Sequence, residues 1–193
     1  MKTEYIIADL VEELSQKHRT ILATLDNQLA PLSDSQKTWK PAPGSWSITE
    51  CLAHLNLTHT YYIRQIQKKV DDVPRTVPAA PEKRFTMSQN GKLMLKALDP
   101  ASTWKLPAPA MARPRANPDP ESVFDRFVEL ENLYLELLPQ TPRLDLEGSK
   151  VISPFFNWLK FRAGDVLIFV TAHTQRHINQ ALRVIQRPDF PMA

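Results

Sequence analysis

The stretch Val166-Leu167-Ile168-Phe169-Val170-Thr171-Ala172-His173-Thr174-Gln175-Arg176-His177-Ile178-Asn179-Gln180-Ala181-Leu182-Arg183-Val184 decides how this chain is read. Val166, Val170, His173, His177, Gln180 and Val184 recur at steps of four, three, four, three and four, which is the seam of an α-helix. No glycine or proline interrupts the run, so the helix extends from about Ala163 to Gln186, ahead of Pro188. Two histidines occupy its inward seam. Side chains at i and i+4 lie one turn apart, with Cβ atoms about 5–6 Å from each other. Two imidazoles so placed can converge on an ion with metal–nitrogen bonds of about 2.0–2.1 Å. The competing reading is a pair of core histidines, each hydrogen-bonded to a neighbour because an unsatisfied buried ring nitrogen is costly.

Working outward, three more long helices carry the same periodicity. The first spans about Glu4 to Leu29: Ile7, Val11, Leu14, Ile21 and Leu25 form its stripe, His18 fills the same phase, and Pro31 ends it. The second starts at Ser47-Ile48-Thr49-Glu50, a capping box, and fades near Val70 after Ile48, Leu52, Leu55, Tyr62 and Ile66. The third opens on Asp119-Pro120, an acid at the N-cap and a proline at the first helical position. Val123, Phe127, Leu130, Tyr134 and Leu137 make its stripe, and Pro139 stops it. Pro154-Phe155-Phe156-Asn157-Trp158 reads as one further helical turn.

Between the second and third helices, residues 71–118 form a proline-studded crossover with room for one short helix around Gly91 to Leu98. Helix–helix turns in bundles need only about 2–8 residues. A helix of some two dozen residues spans roughly 36 Å, and a connection that returns this distance lets helices two and three run parallel. The expectation is an all-α, up-down-down-up four-helix bundle, a single domain over residues 1–193.

Composition agrees. The chain has 193 residues, 42% hydrophobic and 23% charged, with only four glycines, and its periodic segments are rich in good helix formers. A formal charge of +3 without a basic run gives little support to nucleic-acid binding; Lys105, Arg113 and Arg115 in the crossover read as solvated loop charges. The segment Met1 to Lys17 mixes acids among its apolar residues, unlike a signal peptide. No apolar run reaches the roughly 18–20 residues a membrane span needs, and the cytoplasm is the expected compartment. Cys51 is the sole cysteine and reads as a small buried apolar residue.

A third metal ligand must come from another helix. By wheel phase His59 falls near the centre of helix two's stripe, His18 shares the core phase of helix one, and His54 sits on a flank beside Cys51 and Thr58. Periodicity therefore favours His59 or His18 and leaves the choice open.

The stretch Trp39-Lys40-Pro41-Ala42-Pro43-Gly44-Ser45-Trp46-Ser47-Ile48-Thr49-Glu50-Cys51-Leu52-Ala53-His54-Leu55 resembles the W-x-P-x-P-G-x-W-S-[IV]-x-E-x-[LIV]-x-H-L signature of the DinB/YfiT-like superfamily. His173-Thr174-Gln175-Arg176-His177-Ile178-Asn179-Gln180 is similar to that family's H-x-x-R-H-x-x-Q motif. The resemblance implies an up-down-down-up bundle and a metal centre on His54, His173 and His177, with His59 a pocket or core residue. It is weakest over the crossover.

Three neutral ligands leave an ion its charge and an open position, the pattern of a catalytic site. Imidazole ligation suits zinc or nickel, with cobalt, iron and manganese also admissible. The resemblance implies activation of a low-molecular-weight thiol or of water, as in thiol S-transferases or metal-dependent hydrolases acting on a small-molecule substrate. Gln180 is placed to orient a bound water or substrate, or to bond within the core. No general base stands out: Glu50 reads as a cap and Asp165 as a first-turn acid. A non-catalytic, metal-binding stress-response or ligand-binding module is the alternative. A second apolar stripe, Leu167, Ile178, Leu182 and Ile185, is wide enough to meet two neighbouring helices or a second subunit, hence an expected homodimer.

Overall fold

A computed structural model describes residues 2–98, 109–154 and 158–192. Within it the apolar periodicities become helices: α1 (Ile7–Thr24), α2 (Asp34–Thr38), α3 (Ile48–Asp71), α4 (Gln89–Leu98), α5 (Pro120–Leu137) and α6 (Ala163–Ile185). Their starts are set by local chemistry. Ser47 accepts from the Glu50 amide while Glu50 accepts from the Ser47 amide, closing the capping box on α3. Asp119 accepts from the Ser122 amide at the head of α5, and Pro120 takes the first helical position.

The first helix begins later than its periodicity suggests. Glu4–Ile6 form a strand, β1, paired antiparallel with β2 (Arg84–Thr86) from the crossover, and α1 then ends in a π-helical turn at Leu25–Leu29. A second antiparallel pair joins β3 (Lys150–Ile152) to β4 (Lys160–Arg162). Each strand has three residues, too few for an alternation to register in sequence. The helical turn expected at Pro154–Trp158 includes residues 155–157, outside the described residues, as is Lys105.

The four long helices pack in a closed order: α3 lies against α5 and α6, and α1 against α5 and α6. Contacts between α3 and α5 advance together along both chains, Asn56 to the Val123 carbonyl and Thr60 to Arg126. Contacts between α3 and α6 run in opposite senses, His54 meeting His177 and Tyr62 meeting Phe169. The core divides in two. Ile21, Leu25, Leu52, Leu55, Phe127 and Ile178 belong to one apolar cluster, and Leu10, Leu14, Tyr62, Tyr134, Val166 and Val170 to the other. At the junction each long helix contributes buried polar side chains: His18, His54 and His59, Glu131, and Thr171, His173, Thr174 and His177. A polar layer therefore crosses the interior at mid-height.

The crossover is anchored as well as long. Gly164 has no Cβ where the Phe85 ring of β2 packs; an added Cβ would lie 2.5 Å from it. Asp165 accepts from the Arg162 and Ser88 amides and the Ser88 hydroxyl, tying the start of α4 to the start of α6. It is a first-turn acid, with this second duty added. The second stripe of α6 is absorbed within the chain: Leu167 and Ile178 are buried, and Leu182 and Ile185 pack half-buried on the same core. That stripe thus gives no argument for a second subunit.

Candidate metal centre

His173 and His177 project from adjacent turns of α6, and His54 faces them from the second turn of α3, where buried Leu52 and Leu55 fix the helix rotation. The three rings meet at centroid separations of 4.6 Å (His54–His177), 4.7 Å (His173–His177) and 5.0 Å (His54–His173). One nitrogen from each lies within 4.8 Å of the others. All three are buried, at 4%, 6% and 7% exposure.

Hydrogen bonds decide which nitrogens face inward. The Nδ1–H of His54 donates to the Ala112 carbonyl at 2.6 Å, so its Nε2 carries the lone pair toward the cluster. The Nδ1–H of His177 donates to Oε1 of Gln180 at 3.0 Å, with the same result. Such outer partners orient metal-binding histidines and raise their basicity. His173 has no such partner among the described residues: its Nδ1 is buried without one there, and its ring is held by Phe169, stacked at 5.1 Å with an interplanar angle of 14°. Nε2 of His54 and Nε2 of His173 are 3.1 Å apart. Two nitrogens bound tetrahedrally at about 2.05 Å would sit about 3.3 Å apart. The donor set therefore fits a small divalent ion with little rearrangement.

Electrostatics favours the neutral, ligating form of each ring. Burial is the main cause at all three, lowering His54 against the pull of the Ala112 carbonyl, lowering His173 strongly, and taking His177 down to about 3. Neighbouring rings and the Arg176 charge add to the effect at His173 and His177. Trp46 lies against both His54 (4.9 Å) and His177 (5.7 Å), limiting water on that side.

The rings favoured by wheel phase do something else. His18 Nδ1 bonds Glu131 at 2.5 Å, and His59 Nδ1 faces the other carboxylate oxygen at 3.5 Å. Behind them, His18 Nε2 meets the Thr171 hydroxyl at 2.9 Å and His59 Nε2 meets the Thr174 hydroxyl at 3.2 Å. His18, Glu131 and His59 are fully buried and lie together beside the cluster, His59 Nδ1 and Glu131 Oε1 approaching without a hydrogen bond and the His59 and His173 centroids being 6.1 Å apart. Glu131 was legible as an acid at core phase, four residues after Phe127 and three before Tyr134. The Ala112 carbonyl had no such signal.

The cluster opens on a cavity of about 1060 Å³. Its walls include Trp46, Tyr62, Leu98, Phe161 and Phe169, with Gln180 at the side of His177. Burial pushes the Tyr62 phenol up, keeping it protonated. Glu50 faces Lys40 at 2.6 Å and its own cap, away from the cavity lining. Cys51 is buried and its thiol is pushed up to about 12 by that burial, an inert side chain. No helix is long and apolar enough to cross a membrane among the described residues.

Comparison with known proteins adds one finding. The sequence profile of the DinB superfamily matches residues 16–181, which include all three clustered histidines, the whole of α3 and α6 as far as residue 181. Neither a curated protein nor a solved structure matches the chain.

Proposed function

Because the chain belongs to the DinB superfamily, we propose that His54, His173 and His177 bind one divalent metal ion, zinc or nickel, in a metal-dependent enzyme. Its substrate is a small molecule, and its reaction is thiol transfer or hydrolysis. The observation that carries this reading is the opposed pair of outer hydrogen bonds, His54 to Ala112 and His177 to Gln180, which turn two lone pairs onto one point at a cavity wall. When bound, such an ion would lower the pKa of a coordinated water toward neutrality or hold a coordinated thiol as its thiolate.

The chain's own residues then have definable tasks. Trp46 and Phe169 cover ring faces and hold water away from the histidines. Gln180 fixes the tautomer of His177, a positioning role, and leaves its amide nitrogen available at the cavity. Tyr62 presents a protonated hydroxyl at the wall, shared with Ser153.

The same reading takes α1, α3, α5 and α6 as one up-down-down-up bundle in a single domain. The parallel advance of α3 with α5 and the opposed run of α3 with α6 support it. A second reading, a metal-binding module without turnover, is favoured by one observation: the described cavity lining contains no aspartate or glutamate to act as a base.

Metal analysis of the purified protein tests the ligand set. About one equivalent of metal is expected in wild type and close to none in His173→Ala; full occupancy in the variant refutes the assignment. Conjugation of a thiol such as cysteine to 1-chloro-2,4-dinitrobenzene then separates enzyme from module. A metal-dependent rate supports the transferase, and hydrolysis of activated esters covers the water-using case.

A further inference from the structure

Beside the seam that brings His173 and His177 together runs a second stripe. Arg176, Gln180 and Arg183 on α6, and Arg187 just past its end, recur at steps of four, three and four, and all four line the same cavity. The described lining thus contains three arginines and three histidines with no carboxylate among them. The charges are not equally available. Arg187 is paired with Asp189 at 3.0 Å, and Arg176 directs one nitrogen to the Leu98 carbonyl at 2.7 Å. Arg183 is exposed and has no ion-pair partner among the described residues. Its charge is nonetheless felt, since it acts to lower the pKa of the Cys51 thiol, opposite to Glu50.

A cavity with one sign of charge and apolar walls concentrates the field and selects ligands of the opposite sign. Arginine binds carboxylates and phosphates in a bidentate manner. Arg183 stands six residues beyond His177, a rise of about 9 Å along the helix. The lining also carries Met94, Leu98, Leu159, Phe161 and Phe169, whose side chains suit a hydrocarbon body and offer it no hydrogen bonds. A volume of about 1060 Å³ accommodates a molecule of cofactor size.

We propose that Arg183, assisted by Arg176, is an anion subsite, and that the cavity takes an organic anion: a carboxylate or phosphate group on an apolar body. The anionic group rests on the α6 arginines, and the far end reaches the three histidines. Placement of that far end rests on the metal-centre reading; the arginine end stands without it.

The test compares octanoate and octyl phosphate with octanol, measured by isothermal titration calorimetry on metal-loaded and on chelator-treated protein. The two anions are expected to bind at least 10-fold more tightly than octanol in both forms. Arg183→Gln should remove about 10-fold of that preference, Arg183→Lys should restore part of it, and octanol binding should be unchanged. Weakening of anion binding with added salt is also expected. Equal affinity for octanol and octanoate in wild type overturns the proposal, as does a preference that survives Arg183→Gln. A preference that vanishes with chelation or in His173→Ala, while persisting in Arg183→Gln, puts the anion on the metal and overturns it too. Failure of the metal reading leaves a different mark: no bound metal, with Arg183-dependent anion binding intact.

Discussion

The ring of His54 donates its Nδ1 proton to the carbonyl of Ala112, 58 residues ahead in the chain, at 2.6 Å. Backbone of the crossover thereby fixes a side chain on α3. Since His177 is fixed in the same sense by Gln180, both rings are expected as Nδ1–H tautomers in metal-free protein at pH 7. Long-range proton–nitrogen correlation spectra report this directly; an Nε2–H tautomer at either ring contradicts the arrangement.

Gln180→Leu removes the acceptor behind His177. Loss of such an outer partner typically costs 10–100-fold in metal affinity. Competition against a chromogenic chelator should show a drop in that range, with Gln180→Glu close to wild type because a carboxylate accepts the same bond.

Removing the metal should lower thermal stability. With free metal at about 100-fold over its dissociation constant, the linkage is about 2.7 kcal/mol. For a chain of this length that corresponds to a Tm change of roughly 5–10 °C. Chelation of His177→Ala protein should produce no comparable shift, and an equal shift there would remove the site from the explanation.

Glu131 gives a pH-dependent term. Burial acts to raise its carboxyl, but the adjacent His18 and His59 rings overcome it and hold the group at about 2, against an ordinary value of 4.5. A carboxyl depressed on folding stabilises the native state fully above its unfolded pKa, and that contribution declines as pH falls from 4.5 toward 2. Its size is on the order of 3 kcal/mol. Urea denaturation of chelated wild type and Glu131→Gln should therefore differ most near pH 7, with the gap narrowing below pH 4.5 and closing only toward pH 2. A gap that widens in acid contradicts the sign.

Gly164→Ala should destabilise, although alanine is ordinarily better than glycine in a helix by up to about 1 kcal/mol. The new methyl would meet the buried Phe85 ring at 2.5 Å. Overpacking of this kind costs about 1–3 kcal/mol, readable as a fall in Tm. A rise in Tm would mean that β2 yields easily.

How much of this was legible depended on where the partners sit in sequence. His173 and His177 stand out because both are on one helix, four residues apart. His54 did not, because α3 is covered on two sides: its stripe centre turns His59 toward Glu131 on α5, while its flank turns His54 toward α6. A wheel ranks phases on one helix and carries no record of which neighbour each phase meets. The family signature supplied what the wheel lacked. The strand pairs escaped notice because three residues hold no measurable alternation, and the Ala112 carbonyl because a backbone acceptor has no residue type to mark it. The long helices and their caps were readable because their signals are local.

The division of labour around the cavity has an evolutionary corollary. Its three rings come from helices whose rotation is locked by neighbouring buried apolar side chains, whereas Pro41, Ala42, Gly44, Ser45, Trp46 and Ala112 come from connecting segments that border the same space. Insertions or exchanges in those connectors can reshape the entrance and retune one imidazole while the scaffold keeps its packing. The architecture thus lets the mouth of the cavity vary without rebuilding the three-histidine cluster.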